Sequence, residues 1–386
     1  TSFARMQRIL TSLGFLAILL SAQAQVWEYR IAKEAQRVDS IEQIIYELQR
    51  IGIRVTGSTA YDSATQWVVN KYTQLGYAPV IDTFKYGTKN SYNVIIEKPG
   101  SQSDAWIIVG AHLDAVSISP GANDNGSGVA ATLEIARILK NVDCKVGVRI
   151  INFGAEEQGL QGSNHYVSNT LSSTDNIQLM LNLDQLGGTL GQNNTRIKCE
   201  RDEDDNPSMN NVLSSLKTDT LGRLINLYTT LIPVRSKAYG SDYMPFQNAG
   251  YVITGLYQES VDPNYHSAND KLENMDIAAT TEVIKGAVAS TLYFARINTS
   301  ANVSQTSNLL SRLYPNPASN WVKIIGGDNE MNHVILTNAL GQQVLSTEIT
   351  SHEVIDIHNL TNGLYSVSIY NAHNSVLLQS RLIIAR

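Results

Sequence analysis

Apolar residues recur at three- and four-residue spacing in "IEQIIYELQRI" and "ATQWVVNKYTQL", so the stretch from about Gln25 to Gly76 predicts helices. Strand-like runs follow: "PVIDTFKY", "SYNVIIEK", "AWIIVGA" (105–111), "VGVRIINF" (146–153) and "IQLMLNLD" (177–184). Helical patterns separate the last three, at Ser127 to Lys140 and at roughly Gln158 to Asn169. "YVITGLYQ" (251–258) is a further strand candidate, and Ile277 to Phe294 reads as a closing helix. Strands alternating with helices imply an α/β fold: a mostly parallel mixed sheet flanked by helices.

The pattern then changes. Residues 298–311, "NTSANVSQTSNLLS", are small and polar, which marks a linker. Residues 312–386 hold short alternating runs broken by Gly, Asn and Pro, which predicts a small all-β sandwich. At the other end, Arg5 and Arg8 flank an apolar stretch from Ile9 to Leu20, and Ala22 and Ala24 form an A-x-A signal. That stretch is too short to span a bilayer comfortably, so residues 1–24 read as a secretory signal peptide. Residues 25–297 are then the main domain. No later segment is apolar enough for a span, so none is expected in the mature protein.

Charge and cysteines narrow the picture. A formal net charge of −6 without a basic cluster argues against a nucleic-acid partner. The two cysteines, Cys144 and Cys199, cannot form a disulfide framework, and neither sits in a CxxC. No helical dimerisation insert is evident, so a monomer is expected.

The candidate chemistry lies at the strand ends. The run 146–153 leads straight into Glu156 and Glu157, two adjacent acids that repel each other and are costly to desolvate uncompensated. The run 105–111 leads into "AHLDA", with His112 and Asp114, and 177–183 leads into Asp184. In an open α/β sheet, ligands bind outside the carboxyl ends of the strands. A histidine and several carboxylates therefore converge on one crevice, and a metal supplies the missing positive charge. Asp124 lies in the glycine-rich turn "PGANDNGSG", which lacks the GK[ST] ending of a phosphate loop. His266 lies in the loop "NYHSAND". Alone, the first reads more readily as a plain turn and the second as a surface histidine. His165 sits inside a helical pattern and is assigned to packing or surface.

The ordered series "HLD", "GANDNGSG", "GAEEQGLQGS", "NLDQLGG", "SDYMPF", "YHSAND" resembles the di-zinc exopeptidases of metallopeptidase family 28, over roughly residues 35–297. The resemblance implies two zinc ions as cofactors. His112 and Asp184 would hold one, Glu157 and His266 the other, and Asp124 would bridge both. Glu156 would be the general base toward a water that zinc activates. Asp114 would accept a hydrogen bond from the ring of His112 and fix its tautomer. The chemistry agrees: paired zincs need a shared ligand, and N/O donors with open positions suit catalysis. Tyr265, directly before His266, could donate to a tetrahedral oxyanion or simply pack. Asp242 and Tyr243 would line the substrate site, though many relatives carry His where Tyr243 stands. Gln185, where Met is common, looks harmless.

The expected function is a secreted di-zinc aminopeptidase acting on peptides with a free N-terminus, apolar first residues being favoured. A glutaminyl cyclase of the same fold, a dipeptidase or carboxypeptidase relative, and a non-catalytic receptor or adhesin module are the alternatives. "YPNP" (314–317), "NALGQQV" (338–344) and "LTNGLYSVSI" (360–369) resemble the type IX secretion sorting domain. That resemblance implies the type IX machinery as a partner. It also implies passage through the periplasm to the surface or surroundings of a Gram-negative bacterium.

Overall fold

The computed structural model describes residues 30–203, 207–297, 312–325, 332–338, 341–350, 353–370 and 376–386. The expected signal peptide (1–24) and linker (298–311) lie outside the described residues. The chain divides into two compact units, one of them Glu34–Asn298.

That unit is built on a mixed sheet of eight strands. In chain order they are β1 (Val80–Tyr86), β2 (Lys89–Lys98), β3 (Gln102–His112), β4 (Val146–Phe153), β5 (Asn176–Leu183), β6 (Arg196–Arg201), β7 (Ile232–Lys237) and β8 (Ile253–Gln258). Across the sheet they run β1-β2-β4-β3-β5-β8-β6-β7. The centre, β4-β3-β5-β8, is parallel throughout. All eight residues of β4 are buried, which explains its unbroken apolar character. Its one charge, Arg149, is matched by Glu97 and Asp175 at 2.7 and 2.9 Å, and lies over the Trp106 ring.

Six strands stand where the hydrophobic pattern predicts them. β6 and β7 were not expected: "RIKCER" is short and charged, and "IPVRSK" carries a proline in its second position. The proline is tolerated because β7 is an edge strand. The helix Asn211–Tyr228 between them was also missed. The helices Gly126–Leu139 and Ile277–Phe294 lie within a residue of expectation. The pattern at 158–169 is shorter than expected, an α-helix at Gln161–His165 running into a π turn at Tyr166–Thr170.

In the C-terminal part, an antiparallel three-stranded sheet and an antiparallel four-stranded sheet share one apolar core. Val322 and Ile355 enter it from the first sheet, and Val334, Leu336 and Val367 from the second. This is the all-β architecture expected of that segment.

Candidate metal centre

The central strands are parallel neighbours, so their carboxyl ends open side by side. β3 ends at His112, β5 ends one residue before Asp184, and β4 ends three residues before Glu156. The loop after β8 carries Tyr265 and His266. Four adjacent strands thus deliver one cluster.

Asp124 arrives on a turn that is fastened from several directions. The Asp270 carboxylate accepts the N–H groups of Asn123 (2.7 Å) and Asp124 (3.1 Å) and the hydroxyl of Ser119 (3.2 Å). Arg54, fully buried, donates to the carbonyls of Leu113, Pro120 and Gly121 at 2.7–2.8 Å. Asn125 caps the helix that follows by accepting from the Gly128 N–H, and its amide donates to the Leu183 carbonyl. Any Cβ at position 128 would collide with that carbonyl, so only glycine lets the helix start this close to β5. The result is that Asp124 and Asp184 face the same point.

The geometry is a pair of triads sharing one carboxylate. His112 Nε2 stands 3.2 Å from Asp124 Oδ1 and 3.4 Å from Asp184 Oδ1. His266 Nε2 stands 3.3 Å from Asp124 Oδ2 and 3.1 Å from Glu157 Oε2. Donor atoms of His112, Asp124 and Glu157 lie within 4.8 Å of one another, as do those of His112, Glu156 and Asp184. Glu157 Oε1 and Asp184 Oδ1 are buried without a hydrogen-bond partner among the described residues. Buried carboxylate oxygens are rarely left so, and a bound cation would satisfy them. The N/O donor set is one that zinc accepts.

The cluster is electrostatically strained. Burial opposes the charge on Asp124, but the imidazoles of His112 and His266 outweigh it and hold that carboxyl below its ordinary range. Burial pushes Glu156 up, with Asp242, Asp184 and Asp114 adding to the push and His112 resisting it. Glu157 is raised by burial and then by Asp124. Burial also raises Asp242.

Several residues sit differently from expectation. The His112 ring nitrogen Nδ1 meets the backbone carbonyl of Asp114 at 3.2 Å, while the Asp114 carboxylate is 3.9 Å away. That carboxylate instead accepts the backbone N–H groups of Glu156 (3.0 Å) and Glu157 (3.2 Å). Asp114 thus orients the glutamate pair through its backbone, a role the sequence pattern did not suggest. Asp242 is fully buried and is not among the residues lining the cleft. Tyr243 does line the cleft, but its hydroxyl is spent on Glu200, 2.7 Å away. Tyr265 is half exposed and stacks on His266 with centroids 3.8 Å apart. His165 packs against Phe84 and meets Asp82 at 3.1 Å. Gln185 is no bystander: its amide reaches Asp124 Oδ2 at 3.4 Å, and Tyr257 donates to it at 2.9 Å. Ser241 donates to Asp184 Oδ2 at 2.7 Å. Arg54, Asp270 and Glu200 were missed entirely. The only signal for the first was a lone cation between apolar neighbours.

Above the cluster lies a cleft of about 360 Å³, walled by Leu160, Glu200, Tyr239, Tyr243, Tyr257 and Tyr265. Residues 93–291, more than half of the chain, match the model of peptidase family M28. This chain belongs to that family. Residues 312–385 match the secretion system C-terminal sorting domain. Among M28-like relatives, aminopeptidase YwaD of Bacillus subtilis is 29% identical over 276 residues, covering 67% of this chain and 58% of that protein. The chain spans little more than half the length of the first such curated relatives. Among solved structures, an aminopeptidase from Aneurinibacillus sp. strain AM-1 superposes with a TM-score of 0.61 at 18% identity. That match covers 69% of this chain and 97% of that one. The glutaminyl cyclase of Porphyromonas gingivalis shares the fold too, with a TM-score of 0.57 at 18% identity. It covers 67% of this chain and 98% of that one.

Proposed function

We propose that this M28 chain is a secreted di-zinc aminopeptidase that removes N-terminal residues from peptides. The observation that carries the reading is the split use of Asp124, one oxygen toward His112 and the other toward His266. A single carboxylate shared by two histidine-containing triads is what a pair of ions needs. In this reading His112 and Asp184 would hold one zinc, Glu157 and His266 the other, and Asp124 would serve both. When bound, the ions would polarise the scissile carbonyl and acidify a water.

The protein's own groups do the rest. Glu156 takes the proton from the attacking water and passes it to the leaving amine. Burial and the neighbouring acids raise its proton affinity, and bound cations would favour the ionised form that accepts the proton. Asp114 holds both glutamates by their backbone N–H groups, so one can turn to metal and the other to water. Tyr265, at the cleft edge, can donate its phenol to the oxyanion that forms. The domain limits belong to the same reading: catalysis in 25–297, a linker at 298–311, and export through the type IX route of a Gram-negative bacterium directed by 312–386.

The cyclase fold neighbour gives a second reading with a distinct product. The test is metal analysis together with three substrates: a leucyl chromogenic amide, its Nα-acetyl form, and a glutaminyl peptide. About two zincs per chain and cleavage of the free leucyl amide alone are expected. Cyclisation of the glutaminyl peptide without leucyl release would establish the cyclase instead. Comparable rates for free and acetylated substrates would rule out an aminopeptidase.

A further inference from the structure

Among the described residues, Glu200 is the one acid of the cleft wall that the proposed chemistry leaves unused. It lies on β6, is 3% exposed, and lines the cavity shared by His112, Asp124 and Glu156. In register, Glu200 pairs with Gly255 on β8, and Gly255 pairs with Asn182 on β5. Glu200 therefore stands two strands across and two residues short of Asp184, on the same face of the sheet. At about 4.8 Å per strand and 3.3 Å per residue, its backbone is roughly 12 Å from that of Asp184. Gly255, between them, has no side chain, and the Tyr243 ring covers it.

We propose that Glu200 selects peptides whose first residue carries a cationic side chain, lysine or arginine. This rests on the aminopeptidase reading. The α-amine of any substrate is two bonds from the scissile carbonyl, so it must lie close to the His112–Asp124–His266 cluster. Glu200 springs from a backbone two strands to the side of Asp184, so its carboxylate meets the cleft on a flank that a long first side chain, rather than the α-amine, would reach. The walls on the way are aromatic, formed by Tyr239 and Tyr257, and suit the apolar stem and charged head of such a side chain.

The wall is incomplete without a cation. The Tyr243 hydroxyl gives Glu200 one hydrogen bond at 2.7 Å but no charge. Lys198, on the same strand, favours the charge, yet its Nζ stands over the Tyr257 ring, 5.1 Å from the centroid. Left so, the carboxyl is pushed up to about 8 by burial. An apolar first residue would cover Glu200, keep it in its protonated form and offer it no counter-charge. An ammonium or guanidinium would supply one.

The experiment compares kcat/KM of the full-length, zinc-loaded protein for arginyl, lysyl, citrullyl and leucyl p-nitroanilides. Citrulline matches arginine in shape without the charge. We expect arginyl and lysyl amides to exceed leucyl and citrullyl amides by ~10-fold or more. Glu200→Gln keeps the Tyr243 hydrogen bond and should lower the arginyl-to-leucyl ratio by ~10–100-fold. A variant that slows all substrates alike, with the ratio unmoved, would show Glu200 to be structural or to hold the α-amine, and would overturn the proposal. Should the variant misfold, the wild type still decides: free arginine should inhibit leucyl hydrolysis more strongly than free citrulline, and equal inhibition counts against the idea. Leucyl preference with zinc bound defeats this inference alone, whereas cleavage of none of the amides defeats the aminopeptidase reading with it.

Discussion

The carboxylate of Asp270 accepts the backbone N–H of Asp124 at 3.1 Å, linking the last loop of the site to the turn that carries its shared ligand. The same carboxylate takes the N–H of Asn123, and burial raises it to about 6. Asp270→Ala would strand two buried backbone N–H groups, each worth about 1–3 kcal/mol, and would also remove the acceptor of the Ser119 hydroxyl, which can rotate. We expect a loss on the order of 2–5 kcal/mol in stability and a fall in bound zinc together. Thermal unfolding and metal analysis on the same preparation check it. Normal zinc content in a destabilised variant would show that the turn holds its shape without Asp270.

The two glutamates should fail in different ways. Glu157→Gln weakens a zinc ligand, so zinc content and activity should fall together. Glu156→Gln keeps size and hydrogen bonding but cannot accept the proton. Both ions should then stay bound, KM should hold steady, and kcat should drop by ~10²–10⁴, the usual worth of general acid–base catalysis. Zinc analysis and steady-state kinetics decide it. Zinc lost from Glu156→Gln but kept by Glu157→Gln would reverse the pair.

The sequence made the cluster legible because its parts sit at strand ends, where apolar runs stop at or shortly before His112, Glu156 and Asp184. What it could not show was contact between distant segments. Asp270 meets Asn123 across more than a hundred residues, and Arg54 reaches the same turn from the first helices. Neither has a local pattern. β6 stayed hidden for a related reason: alternating charge in "RIKCER" looks like a surface strand, yet Glu200 points into the buried cleft. The full burial of Asp242 was not legible either, because a motif gives proximity but not depth. For Asp114, a side-chain bond to a histidine was expected, while the backbone carbonyl made it instead.

The sorting segment should be dispensable for catalysis. All site residues named above lie between Arg54 and Asp270, within the unit Glu34–Asn298. A chain ending near Ile297 should keep its zinc and its kcat/KM on peptide substrates, while the same deletion in the native host should abolish delivery to the surface. Activity assays on the purified truncation and cell fractionation test the two halves. An inactive but folded truncation would show that residues beyond 297 contribute to the site.

The pH dependence of stability should report on Glu200. Burial lifts its carboxyl from an ordinary value of 4.5 to about 8. Between those values the unfolded chain has lost this proton while the native chain still holds it. The native state then binds more protons, so stability falls as pH rises from about 4.5 to about 8, and the loss levels off above that. Glu200→Gln has no such proton and keeps an acceptor for Tyr243. The variant and the wild type should therefore unfold at similar temperatures near pH 4.5. The variant should pull ahead through the window, by an amount on the order of a few kcal/mol at its top. Thermal unfolding at matched zinc, without peptide, measures the gap. A gap that stays constant from pH 5 to 8 would mean Glu200 is ionised in the folded protein throughout. Adding an arginyl ligand at pH 8 should narrow the gap, since a cation beside the carboxylate restores in the wild type what the variant never lost.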